Sequence, residues 1–317
     1  MTTFTSAFLF PGQGAQSAGM GMRLKERFPD LLDDLYAEAD DIVGYPLTAL
    51  CAEGTRAVLR DMTVTQPAVF LTSHAASIVA DDLGLRPDVV VGHSLGEYAA
   101  LAAAGVLDWR DALRLVHVRG KLMRSVHRRT DGKMAAVIGV PVSVVDDFCA
   151  DVRAELGQVV EIANENEPTQ VVVSGESGAV DALLERIDAA GAERTLVLRI
   201  GGPAHSSLMA DVSRTFEHAI TATSFADPTL PLLSSSTAGV VPDGAAVQAA
   251  MRLQLVRRVR WVETMTLLVH SGLRRTLELG PGKVLTGIVR RQHPQITTYR
   301  TEDEKSLGTA VEEWFHA

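Results

Sequence analysis

The sequence predicts an α/β protein: a larger lobe with a parallel sheet, interrupted by a small α+β lobe. Three observations predict it. Short apolar runs alternate with longer helical patterns up to residue 132. A β-α-β-β-α-β succession then fills 133–200. From residue 201 the chain returns to helix and strand segments. The expected division is therefore 1–132 with 201–317 for the larger lobe and 133–200 for the smaller one.

The elements follow in order. "SAFLFPGQGAQ" reads as a buried strand ending in a Pro-Gly loop. "MRLKERFPDLLDDLYAEADDIV" is polar and periodic, and reads as helices. Pro67 is expected to begin the helix "PAVFLTSHAASIVADDLGL", which ends at a Gly. "PDVVVGHSLGEYAALAAAGVL" is strand, sharp turn and helix, and "WRDALRLVHVRGKLMRSVHRR" is a further helix. In the inserted stretch "KMAAVIGV" is a short strand, and Pro141 opens the helix "PVSVVDDFCADVRAEL". "VVEIANENEPTQVVVSG" reads as two strands around a polar turn. Gly191 closes the helix "ESGAVDALLERIDAAG", and "RTLVLRI" is a strand. That order is the order of a ferredoxin-like unit. "TLPLLSSSTAGVV" and "RTLELGPGKVLTGIVRR" belong to the resumed larger lobe.

Composition bounds the function. The 317 residues are 46% hydrophobic and 22% charged, enough to bury a substantial core without staples. A net charge of −9 argues against a nucleic-acid partner. No apolar run approaches the ~20 residues of a membrane span, and the N-terminus lacks the basic start of a secretory signal. Cys51 and Cys149 lie far apart and outside any CxxC pair, so reduced thiols are expected, with no disulfide and no metal. A cytoplasmic protein is the expectation. Two basic groups stand out: Arg124, Arg128, Arg129 and Lys133, then Arg252, Arg257, Arg258 and Arg260. They read as solvated helix faces, or as a rim for an anionic partner.

The chemistry centres on Gly92-His93-Ser94-Leu95-Gly96. A G-x-S-x-G between strand and helix puts the serine on a strained turn with its hydroxyl projecting, the arrangement of an α/β-hydrolase-like lobe. The helix N-terminus beneath favours developing negative charge, and the Leu95 N–H can donate to an oxyanion. A serine nucleophile needs a base. His93 adjoins it, but neighbouring side chains in a sharp turn diverge, so His93 is expected to make a structural hydrogen bond. His74, His117, His127 and His218 lie in helical patterns. His205, in "RIGGPAHSSLM", sits on a loop leaving a strand, where a scaffold positions catalytic groups.

At this point the chain resembles a known family. "FLFPGQGAQ", "TQPAVFLTS", "GHSLGEYAALAAAGVLDWRDALRLVHVRGKLM", "GKMAAVIGV", "GPAHSSLM", "LQLVRRVRW" and "ELGPGKVLTGIVRR" occur in the order found in malonyl-CoA:acyl-carrier-protein acyltransferases. That family includes discrete bacterial enzymes and acyltransferase domains of polyketide synthases. The resemblance runs from Phe8 to about Arg291. It implies Ser94 as the acylated nucleophile, and His205 as its base and later the base for the incoming thiol. It implies that a backbone carbonyl around Gln254 orients the imidazole, and that the N–H groups of Gln13 and Leu95 form the oxyanion hole. Gln66, Met134 and Asn164 fall in stretches that it implies contribute to the substrate pocket. Arg119 matches the arginine that pairs with the free carboxylate of a malonyl or methylmalonyl group; a planar fork suits that group.

One departure concerns the residues before the base, commonly bulky or hydroxylated in the family. Here they are Gly202-Pro203-Ala204. Gly202 and Ala204 are small, so extra room beside the acyl chain is expected, and a larger α-substituted malonyl unit is a competing substrate. The implied reaction is ping-pong, from malonyl-CoA to the phosphopantetheine thiol of an acyl carrier protein, with no bound cofactor and the coenzyme A thioester as substrate. A monomer is expected. A proofreading thioester hydrolase on the same scaffold is the second reading, and Arg119 speaks against it. A non-catalytic carrier-binding scaffold is the third, and the intact Ser94, His205 and Gln13 set speaks against that.

Overall fold

The computed structural model describes residues 2–198 and 202–315, the side chain of Arg128 excepted. The chain opens with β1 (Ser6–Phe10), then α1 (Met22–Arg27), α2 (Pro29–Val43), α3 (Leu47–Glu53) and α4 (Met62–Asp82). Next come β2 (Val89–Gly92), α5 (Gly96–Ala103) and α6 (Trp109–Arg129). The inserted part holds β3 (Gly132–Ile138), α7 (Val142–Leu156), β4 (Val160–Glu167), β5 (Gln170–Glu176), α8 (Ser177–Ala189) and β6 (Arg194–Val197). The last part holds α9 (Ala210–Ala222), β7 (Leu232–Ser234), β8 (Gly239–Val240), α10 (Gly244–Leu253) and α11 (Trp261–His270). It closes with β9 (Arg275–Glu278), α12 (Val284–Gln292), β10 (Thr297–Arg300) and α13 (Glu304–Glu313).

One sheet has the order β10-β9-β1-β2-β7-β8. Its first five strands are parallel, and β8 pairs antiparallel at the edge. Strands covered on both faces read as continuous apolar runs, and β1 does so because alternate residues enter two cores. Phe8, Phe10 and Val90 pack with the core under α2, α4, α5 and α6. Ala7, Leu9, Val89 and Val91 pack with Trp261, Met265 and Leu268 of α11. In this sheet β1 is followed in space by β2 on one side and by β9, much later in the chain, on the other. Ligands of open parallel sheets bind beyond the carboxyl ends of strands at such a reversal. The register Phe10↔Gly92 brings the ends of β1 and β2 level, so the loops carrying Gln13 and Ser94 leave the sheet side by side.

The second sheet is antiparallel, in the order β4-β5-β3-β6, with α7 and α8 packed on it. The boundary expected at 200–201 and the last two residues of "RTLVLRI" lie outside the described residues.

One local expectation is corrected. Pro67 does not open a helix. It lies inside α4, which starts at Met62, where the Asp61 side chain accepts from Thr63 N at 3.0 Å. Proline lacks an N–H, so the Thr63 carbonyl loses its helical donor. The Tyr45 hydroxyl donates to it instead, at 2.6 Å. The two strands expected in "VVEIANENEPTQVVVSG" are present, with β4 running to Glu167 and β5 starting at Gln170. The acids at the end of β4 meet arginines from the last part of the chain. Glu165 pairs with Arg258 at 2.7 Å and Glu167 with Arg291 at 2.6 Å. Glu165 N donates to Val259 O, and Val259 N to Ala163 O, each at 2.8 Å. Both cysteines are buried, and burial pushes each thiol up to about 12.

Candidate active site

The turn after β2 is built by its glycines. A Cβ on Gly92 would stand 2.2 Å from Glu97 N, and one on Gly96 2.0 Å from Phe10 O. Neither position tolerates a side chain without moving backbone. Ser94 between them has φ +53°, a left-handed conformation uncommon for a non-glycine residue and often found at functional sites. His205 is held the same way, at φ +57°.

The two strained residues meet. Ser94 Oγ lies 2.6 Å from His205 Nε2. On the far side of the ring, Nδ1 lies 3.0 Å from Gln254 O and 2.9 Å from Arg257 O. Carbonyls only accept, so Nδ1 carries the proton and Nε2 faces Ser94 with a lone pair. Burial, and then the positive Arg119, lower His205 to about 3, while the two carbonyls pull the other way. The imidazole is therefore neutral, with its Nε2 lone pair toward Ser94 Oγ. Gln254 was the expected source of the orienting carbonyl; Arg257 shares that task. A backbone carbonyl carries no side-chain signature, so no sequence signal marked it.

Arg119 projects from α6 into the same place and is 1% exposed. Its Nη1 donates to Gln66 Oε1 at 2.8 Å, and its Nη2 to Ser94 Oγ at 3.3 Å. The guanidinium carbon lies 5.9 Å from the centre of the Tyr98 ring. Among the described residues no carboxylate forms an ion pair with it. A buried cation without a partner is costly, and the cost falls when an anion arrives. Gln66 in turn donates to Gln13 Oε1 at 3.4 Å and to Met123 Sδ at 3.2 Å. Among the described residues the backbone N–H groups of Gln13 and Leu95 have no hydrogen-bond partner; Gln13 lines the serine's cavity and Leu95 directly follows the serine.

That cavity has a volume of about 140 Å³. Ser94, His205, Arg119, Gln13, Met134, Asn164 and Ala204 all line it. Leu95, Gln66 and Gln254 stand behind it as described. Gly202 is the exception, and its expected part in the pocket is corrected. It does not line the cavity; a Cβ there, at φ +83°, would meet His127 and Met123 of α6 at 3.4–3.6 Å. A side chain there would lie against α6. His93 makes its structural bond, donating to Asn166 Oδ1 at 2.8 Å, and lies against Trp261. Asn166 was not singled out from sequence, nor were Val284, Leu285 and Ile288 of α12, which form an apolar wall. The "ANENE" stretch was the available signal, since asparagines in a strand need partners.

The basic groups are mostly neutralised. Arg124 pairs with Asp61 at 3.0 Å, Lys133 with Asp181, Arg252 with Glu217 at 3.8 Å, Arg258 with Asp146 and Glu165, and Arg260 with Glu263. Arg128 lies outside the described side chains.

With this geometry in place, comparison with known proteins gives a consistent result. The family described as "Acyl transferase domain" matches residues 7–311. A protein of Escherichia coli (strain K12), "Malonyl CoA-acyl carrier protein transacylase", is 36% identical over 313 residues, covering 98% of this chain and 100% of its own. The solved malonyl CoA-acyl carrier protein transacylase of Coxiella burnetii superposes with a TM-score of 0.94 at 32% identity, covering 99% of each chain. The structure titled "PlMCAT:AntF (holo): type II PKS acyl-carrier protein in complex with its malonyl-transacylase" superposes with a TM-score of 0.93 at 37% identity, covering 98% of this chain and 99% of that one.

Proposed function

We propose a catalytic cycle on one premise: this chain belongs to the acyl transferase domain family. It moves a malonyl group from coenzyme A to an acyl carrier protein, in fatty-acid or polyketide synthesis. The observation that carries the residue assignment is the position of one oxygen. Ser94 Oγ lies 2.6 Å from a base lone pair and 3.3 Å from a buried guanidinium.

The cycle has two halves. His205 Nε2 takes the Ser94 proton as Oγ attacks the thioester carbonyl of malonyl-CoA. The resulting oxyanion is met by the N–H groups of Gln13 and Leu95, which are fixed by the loops and do not reorganise. The C–S bond breaks, His205 returns its proton to the leaving sulfur, and malonyl-serine remains. The phosphopantetheine thiol of the carrier protein then enters. His205 takes the thiol proton, sulfur attacks the ester, and Ser94 leaves with that proton. Arg119, turned by Gln66, holds the malonyl carboxylate in both halves. Met134, Asn164 and Ala204 line the acyl space. The cycle draws on no bound cofactor.

The finer architecture goes with this reading. Residues 1–132 and 201–317 form an α/β-hydrolase-like lobe that carries the chemistry. Residues 133–200 form a ferredoxin-like lobe that supplies Met134 and Asn164. We place the protein in the cytoplasm, acting as a monomer.

A transfer assay tests the reading. Malonyl-CoA and phosphopantetheinylated carrier protein are expected to give malonyl-carrier protein, with parallel lines in a two-substrate kinetic plot. Release of free malonate as the main product would favour a hydrolase.

A further inference from the structure

Three segments that hold the reacting pair converge on one carboxylate outside the cavity. Glu97 lies in the first turn of α5, three residues after Ser94, and is 3% exposed. Its Oε1 accepts from Ser235 N at 2.7 Å, Ser234 Oγ at 3.0 Å and Ser235 Oγ at 3.2 Å. Ser234 ends β7, paired with Gly92 of the nucleophile strand. Glu97 Oε2 accepts from Gln254 Nε2. The same nitrogen donates to the Ser94 carbonyl at 2.9 Å, while the Gln254 carbonyl accepts from His205 Nδ1 at 3.0 Å. Glu97 thus touches neither substrate space nor reacting atoms, yet it is bonded to the residue that binds both halves of the Ser–His pair.

The geometry points to Glu97 as a positioning residue for acyl transfer, one that fixes the His205 imidazole against Ser94 Oγ by clamping the Gln254 side chain. The inference rests on the reading that Ser94 and His205 carry the transfer. A carboxamide can flip, exchanging its oxygen and its NH₂. A carboxylate and a carbonyl only accept, so Glu97 and the Ser94 carbonyl both demand the NH₂ end. Gln254 Oε1 has no partner among the described residues, so nothing opposes them from the other side. Gln254 directly follows α10 as its C-cap, where regular helix gives way to a turn held by the Gln254 N to Met251 O bond at 3.3 Å. Its pinned side chain helps fix its carbonyl, and that carbonyl shares the ring with the Arg257 carbonyl. Burying a carboxylate is unfavourable unless its lone pairs are filled, and here four donors fill them.

The experiment uses Glu97→Gln, Gln254→Met and the double variant, with active sites counted by the burst of coenzyme A release and folding followed by thermal midpoint. Glu97→Gln keeps the size of the side chain. It offers one acceptor and one NH₂, while Ser235 N and Gln254 Nε2 both donate, so one donor is left facing another. The expected result is a fall in kcat of about tenfold per active site, with KM for malonyl-CoA within about twofold. Gln254→Met keeps the backbone carbonyl and should lose a similar factor. The double variant should be no slower than the slower single, because both act through one contact. The inference is overturned if kcat per active site stays within about twofold of the parent, if the loss falls on KM, or if the two factors multiply. Should Glu97→Gln fail to fold, Gln254→Met alone decides it by the same kcat criterion. A parent enzyme that transfers no malonyl group defeats the underlying reading; a parent that transfers with unaffected variants defeats only the role of Glu97.

Discussion

At the scale of single residues, one imidazole sets the pH behaviour. His205 is lowered from 6.5 to about 3, first by burial and then by Arg119. His74, stacked between Phe70 and Trp109, is lowered to about 4 by burial, and His93 is lowered too. The sign follows from linkage: below 6.5 the unfolded chain takes up protons that the folded chain refuses. The stability these groups contribute is present above 6.5 and is lost as pH falls toward 4 and 3. The base, however, stays neutral across that window. The expected outcome is a kcat/KM for malonyl-CoA that is flat from about pH 8 to about pH 5, while the thermal midpoint already declines below about 6.5. Half-loss of kcat/KM near 6.5 would mean a solvated imidazole. Residues of this kind were legible in the sequence to different degrees. Ser94 was legible because a strained elbow demands glycines around it. The paired carbonyls on His205 were not, because any residue supplies one. Gly202 was placed on the wrong side, since a backbone at φ +83° turns its Cα–H in a direction that neighbouring residue types do not reveal.

At the scale of elements, periodicity located helices and strands well and misjudged punctuation. Pro67 reads as a helix start because proline interrupts helices. What cancels the interruption is Tyr45, eighteen residues before Thr63 and in another segment. Removing its hydroxyl should expose the defect. Tyr45→Phe is expected to lower unfolding free energy by about 1 kcal/mol in urea titration, the usual worth of one such bond. In a Pro67→Ala background, where the alanine N–H can serve Thr63 O, the same change should cost less. Equal losses in both backgrounds would show that the tyrosine acts by packing. The partners of the acids in "NENEP" were illegible for a related reason. Arg258 and Arg291 lie far away in sequence.

At the scale of the whole molecule, the seven ordered motifs made the family legible because chemistry constrains short stretches from end to end of the chain. The joining of the antiparallel sheet to the rest of the chain was not legible. The Ala163–Val259 and Glu165–Val259 backbone bonds fasten β4 to the segment whose Arg257 carbonyl holds His205. The antiparallel sheet therefore braces the segment that holds His205 as well as lining the cavity. A basic rim looked available in sequence, but acids from across the surface occupy most of it, and only the folded chain shows that. The central claim is that Ser94 carries the acyl group and Arg119 chooses it. Intact-mass spectrometry after brief incubation with malonyl-CoA or acetyl-CoA tests it most directly. The account predicts one malonyl group on the parent protein, little acetyl group, no adduct on Ser94→Ala, and loss of the malonyl preference in Arg119→Ala. A malonyl adduct that survives in Ser94→Ala, or a preference that survives in Arg119→Ala, would contradict it.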